Sequence, residues 1–467
     1  MGMNGESLDV RSLLRAYRNG ETTPAAIVAQ VYERIERYAD PAIWIYLAPL
    51  AETLARAKAL QEQEPAGLPL YGIPFAVKDN IDWAGVPTTA ACPEFAYVPA
   101  RSATVVEKLC AAGAIPIGKT NLDQFATGLV GTRSPYGVCR NPFDPTYIPG
   151  GSSAGSGAAV AAGLVSFALG TDTAGSGRVP AAFTNIVGLK PTKGYLSTQG
   201  VVPAVRSLDC VSIFALTCAD AARVLHVAGG FDPEDPFSRI LSSVPVPEIQ
   251  SLRIGVPDRA DLDFFGNVDA EKNYQAALAQ WVAMGGEIIE IDFKPFAQTA
   301  RMLYEGSWVA ERTAAVGQFL EQDHPSIDPV VQQIILGGNQ MDAITVFQDF
   351  YRLMALKRQA EQQWAEIDIL ALPTTGTIYT LAEVQAEPFV LNRNLGLYTN
   401  FVNLLDLSAI AVPSGFQTNG LPTGITFMAP AWQDAFLCQL GGLFHAKLGG
   451  TVGATGIPLA AIEATNP

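Results

Sequence analysis

The sequence has few histidines, few cysteines and no metal-binding or redox spacing of either. Its 467 residues include three histidines and six cysteines. No cysteine pair has the CxxC spacing, so a zinc ribbon and a disulfide framework are disfavoured, and the histidines form no HExxH or similar metal spacing. We therefore expect no metal, no cofactor and free thiols in a reducing compartment. The residues concerned are Cys92, Cys110, Cys139, Cys210, Cys218, Cys438, His226, His324 and His445.

Charge is also scarce, at 16% of the residues, and acidic residues dominate it. With 30 Lys and Arg against 45 Asp and Glu, the formal net charge is −15. A chain this acidic lacks the basic surface that nucleic-acid binding needs, so we expect no nucleic-acid partner. It should also repel anionic substrates at long range, so such a substrate would need a local Arg or Lys.

Long apolar runs are missing, although 49% of the residues are hydrophobic. No run approaches the ~20 residues that span a bilayer. The longest candidate, residues 157–170, is rich in Ala and Gly and is predicted to form a buried helix. The N-terminus has no basic flank before an apolar stretch, which predicts no secretory signal. We expect a cytoplasmic protein without membrane contact.

Short apolar strands alternate with helical patterns along the chain. Strands at 72–77 and 114–117 flank a helix at 102–112, which is a βαβ rhythm. The second half continues the alternation, with strands predicted at 252–256, 286–292, 368–372, 408–412 and 423–428, and helices near 269–284, 298–320, 341–366 and 434–448. These patterns predict one α/β domain over residues 1–455. Residues 228–251, rich in Pro and Asp, are predicted as an internal connection, and 456–467 as a tail.

Two familiar motifs are present but lie in the wrong local context. Residues 113–120 (GAIPIGKT) match a phosphate-binding loop, yet the intervening residues themselves have the pattern of a strand rather than a turn. Residues 151–155 (GSSAG) match a nucleophile elbow around Ser153, but three prolines in 141–150 exclude the strand that must precede it. Neither nucleotide binding nor α/β-hydrolase chemistry is favoured.

One lysine and two serines remain as candidates for catalysis. Lys78 ends the apolar strand of GIPFAVKDN, Ser152 lies in PGGSSAGSG, and Ser176 lies in GTDTAGSGR. A serine hydroxyl needs a base to act as a nucleophile, and a lysine can be that base if burial keeps it neutral. Each feature alone is more typical of a strand end or a plain Gly/Ser loop, so the spacing by itself leaves the set a hypothesis.

The segments PGGSSAGSGAAVAAG and LGTDTAGSGRVPAAFTNIVGLKPT resemble the amidase signature family. GIPFAVKDN and GKTNLDQFATG resemble its upstream segments. The resemblance implies a mixed, twisted central β-sheet flanked by helices. It also implies that Ser176 is the nucleophile, Ser152 a bridging cis-serine and Lys78 the base. The implied oxyanion hole consists of the backbone N–H groups of Thr173, Ala174, Gly175 and Ser176. Asp172 and Arg178 are interpreted as structural partners that hold this loop.

Within that family, residues 121–137 and three shorter segments are most similar to allophanate hydrolases. The resemblance implies that Tyr304 and Arg312 hold a substrate carboxylate. On one regular helix eight residues rise about 12 Å, so both could reach one carboxylate only if Arg312 leans back or the helix breaks near Gly306. The same resemblance suggests a pocket lining of Gln124, Gly128 and Arg133.

The expected reaction is hydrolysis of the terminal amide of allophanate, a small anionic amide, to ammonia and N-carboxycarbamate. Another small-amide hydrolase, acting on carboxybiuret or aliphatic amides, stays open, as does the glutaminase subunit of a tRNA-dependent amidotransferase. The resemblance further suggests a homodimer. Many allophanate hydrolases carry an additional C-terminal domain, so the chain is expected to be a truncated form or a naturally short member.

Overall fold

The computed structural model describes residues 7–63 and 65–463. In this part of the chain, eleven strands form one sheet with the order β1-β3-β2-β4-β6-β5-β10-β11-β9-β7-β8. The strands are β1 Trp44–Leu47, β2 Pro74–Lys78, β3 Ile115–Thr120, β4 Phe167–Asp172, β5 Val187–Lys190, β6 Cys210–Ala215, β7 Arg253–Pro257, β8 Glu287–Ile291, β9 Ile369–Pro373, β10 Leu407–Phe416 and β11 Pro422–Pro430.

Helices cover the sheet. Those before residue 230 are α1 Val10–Arg18, α2 Pro24–Tyr38, α3 Leu50–Gln61, α4 Thr104–Ala111, α5 Ala154–Ala161, α6 Val179–Phe183 and α7 Cys218–Ala228. Those after it are α8 Val268–Ala283, α9 Lys294–Glu305, α10 Trp308–Leu320, α11 Pro329–Leu336, α12 Ala343–Gln363, α13 Leu381–Ala386, α14 Val390–Leu395, α15 Phe401–Leu404, α16 Asp434–Leu448 and α17 Leu459–Glu463. The described part of the chain contains no helix long and apolar enough to cross a membrane.

Three neighbouring parallel strands position the candidate site. β2 pairs in parallel with β3 on one side and with β4 on the other. All three are buried along their whole length, which explains their continuous apolar pattern. Their carboxyl ends meet at one edge of the sheet, the usual place for a site in an α/β fold. The predicted βαβ unit is confirmed, and Lys119 lies inside β3 instead of in a phosphate loop.

The two halves of the chain join at the centre of the sheet. β5 pairs antiparallel with β6 on one side and with β10 on the other. β10 continues into the antiparallel β11, and β7, β8 and β9 are parallel to one another. The predicted mixed sheet flanked by helices is therefore confirmed.

Two predicted helices are each interrupted. The run 157–170, predicted as one buried helix, contains the end of α5 and most of β4, so that prediction is wrong. Gly163, at φ +65°, stands in the turn between them. The pattern at 298–320 contains α9 and α10, with Gly306 between them in an extended conformation (φ −110°, ψ −170°). Apolar composition did not reveal the first break, whereas a break near Gly306 was one of the two alternatives given for Tyr304 and Arg312.

The connection after α7 is anchored in its first part. Asp232 accepts hydrogen bonds from Thr104 Oγ1 at 2.7 Å and Ser197 Oγ at 2.6 Å. Asp235 accepts one from the backbone N–H of Thr198 at 2.6 Å. Asp232 and Asp235 therefore anchor the connection after α7 to α4 and to the loop after β5. In the predicted tail, α17 buries Leu459, while residues 464–467 lie outside the described residues.

Candidate active site

Lys78 is the last residue of β2 and its side chain is fully buried. Its Nζ lies 2.8 Å from Ser152 Oγ and 2.7 Å from Thr171 Oγ1. Burial lowers the pKa of Lys78 to about 7, although three buried aspartates nearby favour its charged form. A substantial fraction of this amine is therefore neutral at neutral pH and can accept a proton.

Ser152 follows a cis peptide bond from Gly151. Its backbone carbonyl accepts a hydrogen bond from the N–H of Asp123 at 2.9 Å. The Asp123 carboxylate in turn accepts the N–H groups of Gly131 at 2.9 Å and Arg133 at 3.0 Å. A Cβ on Gly151 would lie 2.5 Å from the nitrogen of Gly131, so only glycine fits this close approach. The loop of Ser152 is thus fixed against residues 123–133.

Ser176 lies on the loop between β4 and α6 and is 3% exposed. Its Oγ is 3.5 Å from the carbonyl oxygen of Gly128. Within the described residues, no hydrogen bond joins it to Ser152. The structure therefore brings the lysine and the bridging serine into contact. It places Ser176, the third residue of the predicted triad, on the loop after β4, with its hydroxyl turned toward Gly128.

The loop before Ser176 presents free backbone donors. No N–H of residues 173–176 donates a hydrogen bond to any residue in the described ranges. Gly175 adopts φ +140°, and a Cβ there would lie 2.5 Å from Thr399 Oγ1. Unpaired N–H groups on a tight, rigid loop are suited to stabilise a developing oxyanion.

A buried ion pair between Asp172 and Arg178 stabilises this loop. Both oxygens of Asp172 accept from Arg178, at 2.8 Å from Nε and 2.9 Å from Nη2, and one also accepts the N–H of Gly177 at 3.0 Å. Burial alone would raise the pKa of Asp172, but the ion pair holds that pKa below its usual value. Asp172 and Arg178 therefore have the structural contacts that the sequence interpretation assigned to them.

Asp209 was not found by sequence reasoning. Its carboxylate accepts a hydrogen bond from Thr173 Oγ1, and also accepts the N–H groups of Ala204 at 2.9 Å and Val205 at 3.2 Å. Burial raises the pKa of Asp209 to about 6. An acidic residue between apolar strand residues was the available signal, but without coordinates nothing linked it to position 173.

Tyr304 and Arg312 come together because the helix breaks between them. Gly306 separates α9 from α10, and the guanidinium carbon of Arg312 lies 5.1 Å from the centroid of the Tyr304 ring. A cation over an aromatic ring at this distance is attracted to it. Of the two alternatives that the eight-residue spacing left open, the break near Gly306 is the one present.

The guanidinium of Arg312 is almost entirely buried and largely unpaired. The residue is 1% exposed, and its Nη1 donates to Thr127 Oγ1 at 3.0 Å. Nε and Nη2 have no hydrogen-bond partner in the described part of the chain, and no carboxylate there forms an ion pair with it. Thr127 precedes Gly128, the residue that Ser176 contacts. A buried cation with two free donors thus lies close to the candidate nucleophile.

The other predicted pocket residues are occupied with contacts to the protein. Gln124 donates to the carbonyl oxygens of Ala91 at 3.0 Å and Ser326 at 2.9 Å, and its own oxygen accepts the N–H of Asp328 at 2.9 Å. These bonds use the polar atoms of its amide, which gives this side chain a framework role.

Arg133 and Gly128 also have framework contacts. The guanidinium of Arg133 donates to the carbonyl oxygens of Thr127 at 2.9 Å and Pro388 at 2.8 Å. A Cβ on Gly128 would lie 2.6 Å from the Asp123 carboxylate. Gly128 therefore reaches the site through its backbone carbonyl. In the described ranges, no three His, Cys, Asp or Glu side chains cluster as a metal site.

Comparison with known proteins agrees with this architecture. A family model described as Amidase matches residues 26–438. The chain is 47% identical over 410 residues to urea amidolyase of Saccharomyces cerevisiae, covering 87% of this chain and 22% of that protein. It is 34% identical over 468 residues to a glutamyl-tRNA(Gln) amidotransferase subunit of Synechococcus sp., covering 91% of this chain and 94% of that protein.

A solved structure of Kluyveromyces lactis allophanate hydrolase is similar over most of the chain. It has a TM-score of 0.89 and 43% sequence identity, and the match covers 96% of this chain and 74% of that one. The chain therefore spans about a fifth of the length of the yeast urea amidolyase and about three quarters of the solved hydrolase. Sequence, sheet and site agree on one conclusion: the chain belongs to the amidase family.

Proposed function

We propose that this protein hydrolyses the terminal amide of allophanate, using Ser176, Ser152 and Lys78. The observation that carries the proposal is the guanidinium of Arg312, which is 1% exposed and has two nitrogens without a partner in the described part of the chain. A buried cation is costly unless an anion completes it, and a guanidinium fork matches a carboxylate. Similarity to urea amidolyase and to allophanate hydrolase supports the same substrate.

The first half of the reaction forms an acyl-enzyme. The Ser176 hydroxyl turns from the Gly128 carbonyl toward Ser152 and attacks the amide carbon. Its proton passes to Ser152 Oγ, while the Ser152 proton passes to the neutral amine of Lys78. The N–H groups of residues 173–176 bind the oxyanion. When the C–N bond breaks, the proton returns through Ser152 to the nitrogen and ammonia leaves.

The second half releases the acid. A water molecule attacks the ester carbon, and its proton follows the same path through Ser152 to Lys78. The bond from carbon to Ser176 Oγ then breaks and the proton returns to that oxygen. Arg312 and the hydroxyl of Tyr304 hold the distal carboxylate throughout, so that the reacting carbonyl faces the loop. The product, N-carboxycarbamate, loses carbon dioxide without further enzyme help.

The test compares Arg312→Gln with Arg301→Gln, a matched loss of one charge at an exposed residue of α9. Ammonia release is measured with allophanate, malonamate and neutral biuret. We expect Arg312→Gln to lower kcat/KM for the two anions by ~10–100-fold, as loss of charge-assisted bonds worth ~1.5–3 kcal/mol implies. Turnover of biuret should stay within about threefold of wild type. A wild-type enzyme without preference for allophanate over biuret and simple amides would contradict the proposal.

The second candidate is the glutaminase subunit of a tRNA-dependent amidotransferase. It is favoured by one observation: 91% of this chain aligns with the Synechococcus amidotransferase subunit at 34% identity. This alternative predicts glutamine hydrolysis that depends on co-purifying partner chains. The isolated chain should distinguish the two, because allophanate turnover needs no partner.

We also propose a homodimer in the cytoplasm. The cytoplasmic location is supported by cysteines without paired spacing, which suits a reducing compartment. The dimer is supported by a row of exposed apolar side chains on the first half of α12, here called the α12 patch. Its members, with their exposed fractions, are Ile344 70%, Phe347 60%, Phe350 51%, Tyr351 64% and Met354 48%.

A further inference from the structure

A cavity with a positive lining lies beside Asp209, the residue whose carboxylate accepts a hydrogen bond from Thr173. It has a volume of about 220 Å³ and is lined by four cationic residues: Lys193, Arg206, Arg239 and Lys357. Asp209 and Asp406 are the acidic residues in the lining. Such a concentration of positive charge is unexpected in a chain with a formal net charge of −15.

Both carboxylates of this cavity are already engaged. Both carboxylate oxygens of Asp406 accept hydrogen bonds from Nη1 of Arg239, at 2.8 and 3.0 Å. The oxygens of Asp209 accept from the Thr173 hydroxyl and from two backbone N–H groups. Lys193, Arg206 and Lys357 therefore form no ion pair with a carboxylate in the described part of the chain. The lining therefore holds four cationic and two anionic residues, and three of the four cations have no ion-pair partner among them.

The walls of the cavity hold these cations in place. The backbone N–H of Arg239 donates to the Gly194 carbonyl at 2.9 Å, and its guanidinium lies over the ring of Trp432, with 4.8 Å from Cζ to the centroid. Arg206 Cζ lies 5.9 Å from the centroid of the Phe237 ring. Burial lowers the pKa of Lys193, the nearby Asp406 opposes that shift, and Lys357 is one of two like charges that add to it. A preorganised group of like charges is stabilised by a bound anion.

We propose that this cavity binds a small polyanion, a dicarboxylate or a phosphate, through Lys193, Arg206 and Lys357. A volume of about 220 Å³ admits a ligand of that size. The site is separate from the one that holds the substrate, since Arg312 does not line it. Asp209 stands between the two, as a wall of the cavity and the acceptor of Thr173.

The test is calorimetric titration of the whole chain with inorganic phosphate and, separately, with malonate, at constant ionic strength set by chloride. Lys357→Gln removes a lining charge. Arg358→Gln is its matched control, because Arg358 is the next residue of α12, its side chain is 79% exposed, and it removes the same charge. We expect saturable binding of at least one anion to wild type and to Arg358→Gln, weakened at least tenfold in Lys357→Gln.

Two results would overturn the proposal. One is the absence of saturable binding of both anions to wild type. The other is equal affinity in Lys357→Gln and Arg358→Gln, which would place the anion elsewhere, for example on Arg312. Equal unfolding temperatures of the two variants without anion show that both are folded. Since binding is measured without turnover, the outcome does not depend on the proposed hydrolysis.

Discussion

At the scale of single residues, the site depends on two buried cations with different chemistry. Lys78 can lose its proton when burial disfavours the charge, so it becomes a base. Arg312 cannot, because a guanidinium stays protonated in proteins. The first residue therefore adapts to the interior by changing its charge, whereas the second keeps a charge that needs an anionic partner. In the proposed mechanism the same burial thus makes Lys78 a base and Arg312 a binding residue for an anion.

The pKa of Lys78 predicts how activity depends on pH. Because the pKa is about 7 and only the neutral amine accepts a proton, kcat/KM should rise about tenfold per unit up to pH 7 and level off above it. The folded state binds this proton more weakly than the unfolded chain. This group therefore adds stability as pH rises above 7, and the acid loss of activity should precede any unfolding.

The profile is measured by ammonia release between pH 5.5 and 9, with the unfolding temperature recorded over the same range as a control. A rate that does not change between pH 6 and 8 would contradict the role given to Lys78.

At the scale of elements, helices and strands with a clear hydrophobic pattern were predicted from the sequence. Strands that form only because a neighbouring strand pairs with them were missed. β2, β3, α4 and the strands of the second half were found from apolar runs and flanking breaks. β5 was missed because a strand of four residues has no distinct period. β6 (CVSIFA) is an apolar run at the end of a Gly- and Pro-rich stretch and was overlooked, and β1 and β4 were missed too. Pairing with β6 and β10 makes β5 a strand, and pairing is not written in a local pattern.

The candidate site was also predictable only in part: its motif residues were predicted from the sequence and their contact partners were not. Motif similarity pointed to Lys78, Ser152 and Ser176, and the first two are in contact. The partners of the loop were out of reach, because Thr127, Thr171 and Asp209 are ordinary polar residues in sequence. Only the fold brings them together. The break between α9 and α10 at Gly306 also depends on a distant residue. Ser307 Oγ donates a hydrogen bond to Asp349 of α12 at 2.6 Å, 42 residues away in sequence, and this contact fixes the direction of α10.

The loop before Ser176 should be sensitive to a single methyl group. In Gly175→Ala the added Cβ would meet Thr399 Oγ1 at 2.5 Å on a backbone at φ +140°, so the loop must shift. We expect kcat to fall by ~100-fold, the size typical of losing one oxyanion donor.

Gly67→Ala is the control for this variant, because Gly67 also has a positive φ, +95°, but no atom within 4 Å of the new Cβ. Steady-state kinetics and unfolding temperature are measured for both. Near-wild-type kcat in Gly175→Ala would show that the loop does not hold the oxyanion.

At the scale of the whole molecule, the α12 patch predicts self-association. Five large side chains, each about half exposed or more, amount to roughly 500 Å² per protomer, a large share of the ~800 Å² that each partner buries in a standard interface. We expect sedimentation velocity to show a dimer for wild type and a monomer for the double variant Phe347→Glu, Tyr351→Lys, which leaves the net charge unchanged.

Val246→Glu is the control, because Val246 is 62% exposed and lies on the connection after α7. It should remain dimeric. A monomeric wild type, or a double variant that still dimerises, would refute this role of the patch.

The antiparallel pairing of β5 with β10 has a consequence for folding during biosynthesis. When residues up to Lys190 have left the ribosome, the edge formed by β5 has no neighbour until Leu407, 217 residues later (407 − 190). At ~5–20 residues per second, that interval lasts roughly 10–40 s. An unpaired strand edge can pair with other chains and cause aggregation. Because β5 has only four residues, this risk is limited. We expect a chaperone that shields nascent chains during this interval to raise the yield of folded enzyme.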